Sequence, residues 1–320
     1  MRRIRLTIAY DGTEFCGFQV QPGQRTVEGE LNRALSELTG EQVTVIGASR
    51  TDSGVHALGN AAVFDTVSSI PADKFPFALL PYLPEDMRIV SGCEVPGEWH
   101  PRRTDCVKTY EYVYDCGQIE DPLLRRYSSF CRRVPDISRM REAAAYLVGE
   151  HDFTSFANPS SQVLRDGGSA VRTIYGIEIT EEPRRAYPVL QKTAAAGGAG
   201  SIVCPEYSTG CRERSMGSPE CGIANQDSKA GSFDCGAGSD VSCGYSSALP
   251  GSIVRIRVSG SGFLYNMVRI IAGTLMQVGT GLWEPARIQT ALEARDRTQA
   301  GPTAEARGLT LLGIRYMDDK

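Results

Sequence analysis

The chain predicts an α+β fold, with mainly antiparallel sheet and helices packed on one face. Three observations carry this. Alternating apolar–polar runs bounded by Gly, Pro, Asn or Asp recur along most of the 320 residues. They outnumber the segments with apolar residues at helical spacing, so a regular strand–helix–strand crossover does not account for them. The same strand-and-helix grammar appears twice, in a chain longer than one core usually grows, so two similar domains are expected, 1–105 and 106–320.

Each element has its own signal. Ile4–Tyr10 alternates and runs into Asp11-Gly12, a strand and its turn. Val27, Leu31, Ala34, Leu35 and Leu38 fall on one helical face, with Thr26 as N-cap and Gly40 just past the end. Val43–Ala48 and Ala61–Asp65 read as the next two strands. Phe75–Leu80 is a short helix closed by Pro81 and Pro84, and Arg88–Val95 is a fourth strand. In the second half Lys108–Tyr114 alternates as a strand. Ile137, Met140, Ala143, Ala144, Leu147 and Val148 make a helix stopped by Gly149. Arg172–Ile179 and Ser252–Val258 are strands, Phe263–Val278 a buried helix, and Ile288, Leu292 and Arg295 a shorter one. Leu309–Tyr316 closes the sheet.

Between about 183 and 251 the composition shifts to Gly, Ser, Ala and Cys. Ala194–Gly200 has linker composition, so the stretch reads as a surface insertion. Five of the ten cysteines lie in it: Cys204, Cys211, Cys221, Cys235 and Cys243. Zinc binding and unpaired thiols are both open readings of that cluster; no Cys-x-x-Cys occurs in the chain. The expectation is no metal.

Composition excludes several classes. Hydrophobic residues are 41% and charged residues 22%, which is ordinary for a globular protein. The apolar run Phe263–Val278 is interrupted by Asn266 and Arg269 and is too short to span a bilayer, so no membrane association is expected. The basic start, Met1–Arg5, meets Asp11 and Glu14 before any apolar stretch, which argues against a secretory leader and for a cytoplasmic protein. A net charge of −4 argues against coating nucleic acid non-specifically, yet leaves room for a local basic cleft. Nearly all basic residues are arginine, which fits phosphate binding and equally a G+C-rich genome.

The segment from Ala48 to Ala57 carries the clearest chemistry. An Arg-Thr-Asp-Ser-Gly turn between two strands can be a plain hairpin connection. It can also hold a carboxylate rigidly at a strand end. Arg50 alternates to the same face as Asp52 and favours its ionised form. A carboxylate so held serves as nucleophile or base. His56 is a base or a structural imidazole on this reading.

Arg50-Thr51-Asp52-Ser53-Gly54-Val55-His56-Ala57 resembles the catalytic signature of the tRNA pseudouridine synthase A family. So do Tyr10–Thr13 with Gly17–Gln21, Trp99–Arg103 followed by Lys108–Tyr112, His151–Phe156, Val171–Ile174, Gly262–Arg269, and Gly301-Pro302 with Gly308-Leu309. The likeness spans the chain outside about 183–251. It implies the pseudouridine synthase fold, with the catalytic cleft between the two domains. It also implies isomerisation of uridine to pseudouridine in the anticodon stem-loop of tRNA, at positions 38, 39 and 40, with no cofactor. It implies a cytoplasmic homodimer with tRNA as partner. Asp52 falls on the family's catalytic aspartate, Tyr110 on its active-site tyrosine and Arg269 on its basic partner. Arg50, Thr51, Gly54, Val55, His56, Arg102, Arg172 and Leu264 fall on the expected substrate-binding set, with Leu264 also readable as core. Extruding a base from its stack costs a few kcal/mol, and a ring such as Tyr110 returns roughly 1–3 kcal/mol by stacking. The chain departs from the family at Ser49 for glycine, Phe18 for tryptophan, Pro101 for alanine and Asn60 for glutamine. A non-catalytic tRNA-binding protein on the same scaffold is the competing expectation, and a hydrolase using Asp52 and His56 a more distant one.

Overall fold

A computed structural model describes residues 1–184 and 251–317. The elements are β1 (Arg2–Tyr10), α1 (Val27–Thr39), β2 (Ile46–Gly47), β3 (His56–Thr66), α2 (Phe75–Ala78), β4 (Met87–Val95), β5 (Cys106–Gly117) and β6 (Ser129–Cys131). They continue with α3 (Ile137–Ala145), β7 (Gly149–Asp152), α4 (Gln162–Arg165), β8 (Val171–Pro183), β9 (Gly251–Gly260), α5 (Met267–Gly279), α6 (Arg287–Ala294) and β10 (Leu309–Tyr316).

The described strands form one sheet in the order β4-β1-β3-β10-β5-β9-β8-β7, with β2 on β3 and β6 on β5. Pairing is antiparallel except at β10–β3 and β5–β6. The fold is therefore α+β, as the strand count implies. The last strand does not close an edge. β10 sits at the centre, antiparallel to β5 over most of its length and parallel to β3 at Thr310–His56 and Leu311–Ala57. A strand contributed from the far end of the chain leaves no periodicity to show its place, because pairing order is a tertiary choice.

One face of the sheet carries the helices. Ile4, Leu6 and Ile8 of β1 are buried there, together with Val27, Leu31, Ala34 and Leu35 of α1. Thr26 caps α1 by accepting the Gly29 N–H, and Gly40 ends it with φ 72°. α5 is buried on nearly all sides, as its mostly apolar sequence requires.

Local chemistry moves three boundaries. Val43–Ala48 is expected as a strand, yet only Ile46–Gly47 pair. Side chains of α1 take the earlier donors: Ser36 Oγ accepts from Val43 N–H at 3.0 Å and Asn32 Oδ1 from Val45 N–H at 2.8 Å. β3 begins at His56 rather than Ala61, so His56 is a strand residue. The helix expected from Phe263 starts at Met267, because Asn266 adopts φ 62° and releases Phe263–Tyr265 as a loop. Arg295, with φ 49°, ends α6 in the same way.

The insertion and its five cysteines lie outside the described residues. Its stem is described. β8 and β9 stay in register to Pro183–Ser252, and Arg184 N–H donates to Gly251 C=O at 3.2 Å. Arg184 also pairs with fully buried Asp115 at 2.5 Å. Among the described residues no helix is long and apolar enough to cross a membrane.

Candidate active site

The loop between β2 and β3 is held from beneath by a buried polar network. Asn60, wholly buried on β3, donates from Nδ2 to Ser49 C=O at 2.9 Å and to Tyr10 Oη at 3.1 Å. Its Oδ1 accepts from Ser49 N–H at 3.3 Å and Ala61 N–H at 2.9 Å. Tyr10 Oη meets Thr51 Oγ1 at 2.7 Å. From above, Phe18 N–H donates to Thr51 C=O at 3.0 Å, and Gly17, at φ 87°, lets its backbone pass where a Cβ would stand 3.0 Å from that carbonyl. The chain on both sides of Asp52 is thus fixed. Asn60→Ala should strip Ser49 of both backbone partners and cost about 2–3 kcal/mol. Urea unfolding should show a lowered midpoint at unchanged slope, and an unshifted midpoint would contradict the network's role.

Asp52 turns inward. Its carboxylate is 15% exposed and accepts from Arg269 Nη1 at 3.2 Å. Burial pushes its pKa up; the charge of Arg269 and its hydrogen bond pull it down, and the net position stays above the ordinary carboxylate value. Arg269 lies in the first turn of α5 and is itself oriented. Nε donates to Ala304 C=O at 2.8 Å and Nη1 to Asn266 Oδ1 at 2.9 Å. Gly273 allows the segment carrying Ala304 to lie against α5, since a Cβ there would stand 2.0 Å from Pro302 C=O. Gly301 N–H donates to Thr274 Oγ1 at 3.0 Å and pins the same segment.

Tyr110 enters from β5, in register with Leu311 of β10 and Val258 of β9. Its ring stands edge-on to Phe263, with centroids 5.3 Å apart at 86°. Burial raises the phenol's pKa far above its ordinary value, and the charge of Asp52 adds to this, so the hydroxyl is protonated at any physiological pH. It is a donor and not a base.

These groups meet in a cleft of about 850 Å³, lined among others by Asp52, Tyr110, Phe263, Leu264, Arg50 and Arg102. A carboxylate, a neutral phenol, a flat aromatic edge and basic side chains on one wall suit a planar base bearing phosphate. Among the described residues no group of three or more His, Cys, Asp or Glu is placed to hold a metal ion.

The family model for tRNA pseudouridine synthase matches residues 6–102 and 143–317. The chain belongs to that family. It is 37% identical over 316 residues to a tRNA pseudouridine synthase A of Brevibacillus brevis, covering 99% of this chain and 100% of the relative. Identity is 36% to that of Ruminiclostridium cellulolyticum, with 99% and 100% covered, and 34% to that of Bacillus subtilis, with 98% and 99% covered.

Of the residues that the family signature singles out, Arg50, Thr51, Val55, Arg102 and Leu264 lie on the cleft wall beside Asp52 and Tyr110. Arg269 reaches the site through its bond to Asp52. Three others do not line the cleft. Gly54 makes the turn, at φ 78°. His56 is buried, with Nδ1 accepting Gly12 N–H at 3.0 Å and Nε2 placed to donate to Arg307 C=O at 3.2 Å, so its ring ties three segments together. Arg172 spends Nη1 on the Ser169 and Val171 carbonyls at 2.9 and 2.6 Å. Asn60, which the sequence shows only as a departure from the family pattern, tethers the loop, and the Ala304 carbonyl aims Arg269. The sequence signals neither role, because both act through a backbone group brought from elsewhere. Sequence reasoning passed over Lys108, though its spacing of two from Tyr110 on a strand marks it as sharing that face.

Proposed function

We propose that this chain isomerises uridine to pseudouridine in the anticodon stem-loop of tRNA, at positions 38, 39 and 40, with Asp52 as the catalytic carboxylate and no cofactor. The carrying observation is the inward-facing Asp52, bonded to an anchored Arg269 and sharing a cleft with Tyr110. The relatives' name, tRNA pseudouridine synthase A, points to tRNA and to this reaction. The reaction breaks the bond from C1′ to N1, joins C1′ to C5, and exchanges a proton from C5 for one on N1, so no atom or electron is gained.

An extruded uracil stacks on an aromatic surface to offset its lost neighbours. Tyr110 and Phe263 offer one in the cleft. Asp52 is needed ionised whether it attacks the base, attacks the sugar or removes a proton from it. Arg269 meets that need by countering the burial of the carboxylate. Neutral Tyr110 donates a hydrogen bond or a proton to the detached ring. Arg50 and Arg102, exposed on the cleft wall, hold phosphates, and Thr51, Val55 and Leu264 pack around the nucleoside. Read as two domains, 1–105 contributes the Asp52 loop and Arg102 to the cleft, and 106–320 contributes Lys108, Tyr110 and the segment 263–268. We further assign a cytoplasmic homodimer. Leu58, Tyr175 and Met317 leave the strands or their ends 60%, 53% and 60% exposed, an apolar surface suited to a second copy.

The test is direct. Purified chain is incubated with an unmodified tRNA transcript carrying 5-tritiated uridine. Tritium should appear in solvent, and pseudouridine should map to positions 38 to 40. Tight tRNA binding with no tritium released would transfer the conclusion to a binding-only protein.

A further inference from the structure

We infer that Lys108 is an anion-binding residue of the cleft that grips a phosphodiester beside the extruded uridine. The inference rests on the tRNA reading above and adds to it a residue and a ligand group.

Lys108 lies on β5 two residues before Tyr110 and lines the same cleft. Its Nζ donates to Ala48 C=O at 2.9 Å. No other partner of this ammonium is found among the described residues, so two of its three donors are unspent. The side chain is half-buried, and burial lowers the pKa, with the charge of Arg102 acting in the same direction. The thiol facing it, Cys106, is kept protonated by burial and supplies no negative charge at neutral pH.

The surroundings repeat the imbalance. Arg50 and Arg102 share the cleft wall, repel each other, and form no ion pair among the described residues. Glu28 attracts Arg102 only from a distance. Asp52 is committed to Arg269, and Asp166, also on the wall, pairs with none of the three cations. Several cations elsewhere in the chain sit on carboxylates: Arg25 on Asp86 at 2.8 Å, Arg255 and Arg257 on Glu111 at 3.1 and 3.0 Å. A protein of net charge −4 thus leaves three cations uncompensated at one corner of one cleft. A half-buried ammonium without a counter-ion is unfavourable until an anion arrives. The neutral carbonyls of uracil do not supply that charge; a phosphodiester does. The bond to Ala48 fixes the ammonium on the sheet, so little freedom is lost on binding, in contrast to the exposed Arg50 and Arg102.

The test uses the full chain with Lys108→Met, which keeps the apolar stem, Lys108→Gln, which keeps a donor for Ala48 without the charge, and Lys108→Arg. Thermal melts establish that each folds. tRNA affinity is measured across salt concentrations, and pseudouridine formation is split into KM and kcat. Met and Gln should weaken binding about tenfold and lower the slope of log affinity against log salt by about one. Most of the loss in kcat/KM should reside in KM, and Arg should restore the slope. An unchanged salt slope in Met and Gln overturns the inference, as does a loss confined to kcat, which would make Lys108 a support for Ala48. Should wild-type protein form no pseudouridine while the slope still falls, the phosphate site stands and the catalytic reading fails.

Discussion

Asp52→Asn should reduce tritium release from 5-tritiated tRNA more than about 10³-fold while leaving tRNA affinity within a few-fold of wild type. The magnitude follows from removing a group that acts in the chemical step and cannot be replaced by its neighbours. The substitution is close to isosteric, and the amide can still accept from Arg269. The loop is held by Asn60, Tyr10 and Phe18, none of which touches the carboxylate oxygen, so the fold should persist. Stability should not fall at neutral pH. Burial raises the pKa of Asp52, which means the ionised carboxylate is disfavoured in the folded state and its loss relieves that cost. A melting temperature at or above that of wild type, together with absent turnover, is the expected pair of results. Full turnover in this variant would remove Asp52 from the mechanism.

The legible parts of this molecule are those written locally. β1, α1, β4, β5 and β10 follow from period and caps, because neighbouring residues share one fate in a strand or helix. Asp52 stood out because a charged turn between two core strands is costly unless used. What stayed hidden depends on residues far apart in the chain meeting. The resemblance points to Arg269 as the basic partner of Asp52 across 217 positions, but not to the groups that aim its guanidinium, a carbonyl at Ala304 and a left-handed Asn266. The short β2 shows the same point in reverse. Its residues have strand propensity, but α1 happened to offer Ser36 and Asn32 where the ladder would have formed. His56 and Arg172 carry the family's pattern and still fall outside the cleft wall. A motif fixes residue identity, whereas the cleft is fixed by which side of a strand each residue occupies.

Arg269→Met should lower kcat about 10²–10³-fold at neutral pH, the scale seen when one preorganised charged or hydrogen-bonding group is lost from an active site. It should also move the acidic limb of the pH profile. In the wild type, burial raises the pKa of Asp52 and Arg269 lowers it, with burial the larger influence. Removing the guanidinium leaves burial unopposed, so the folded pKa rises further. The active form is the ionised one, and more alkaline solution is then needed to reach it. Activity should therefore fall off at a higher pH than in wild type and recover in part as the pH is raised. Arg269→Lys keeps a positive charge but loses the donor to Ala304, so its limb should move less. The guanidinium also orients Asp52, and that contribution does not titrate, which is why alkaline recovery should be incomplete. A limb that stays in place when the positive charge is gone would show that Arg269 aligns the carboxylate without governing its ionisation.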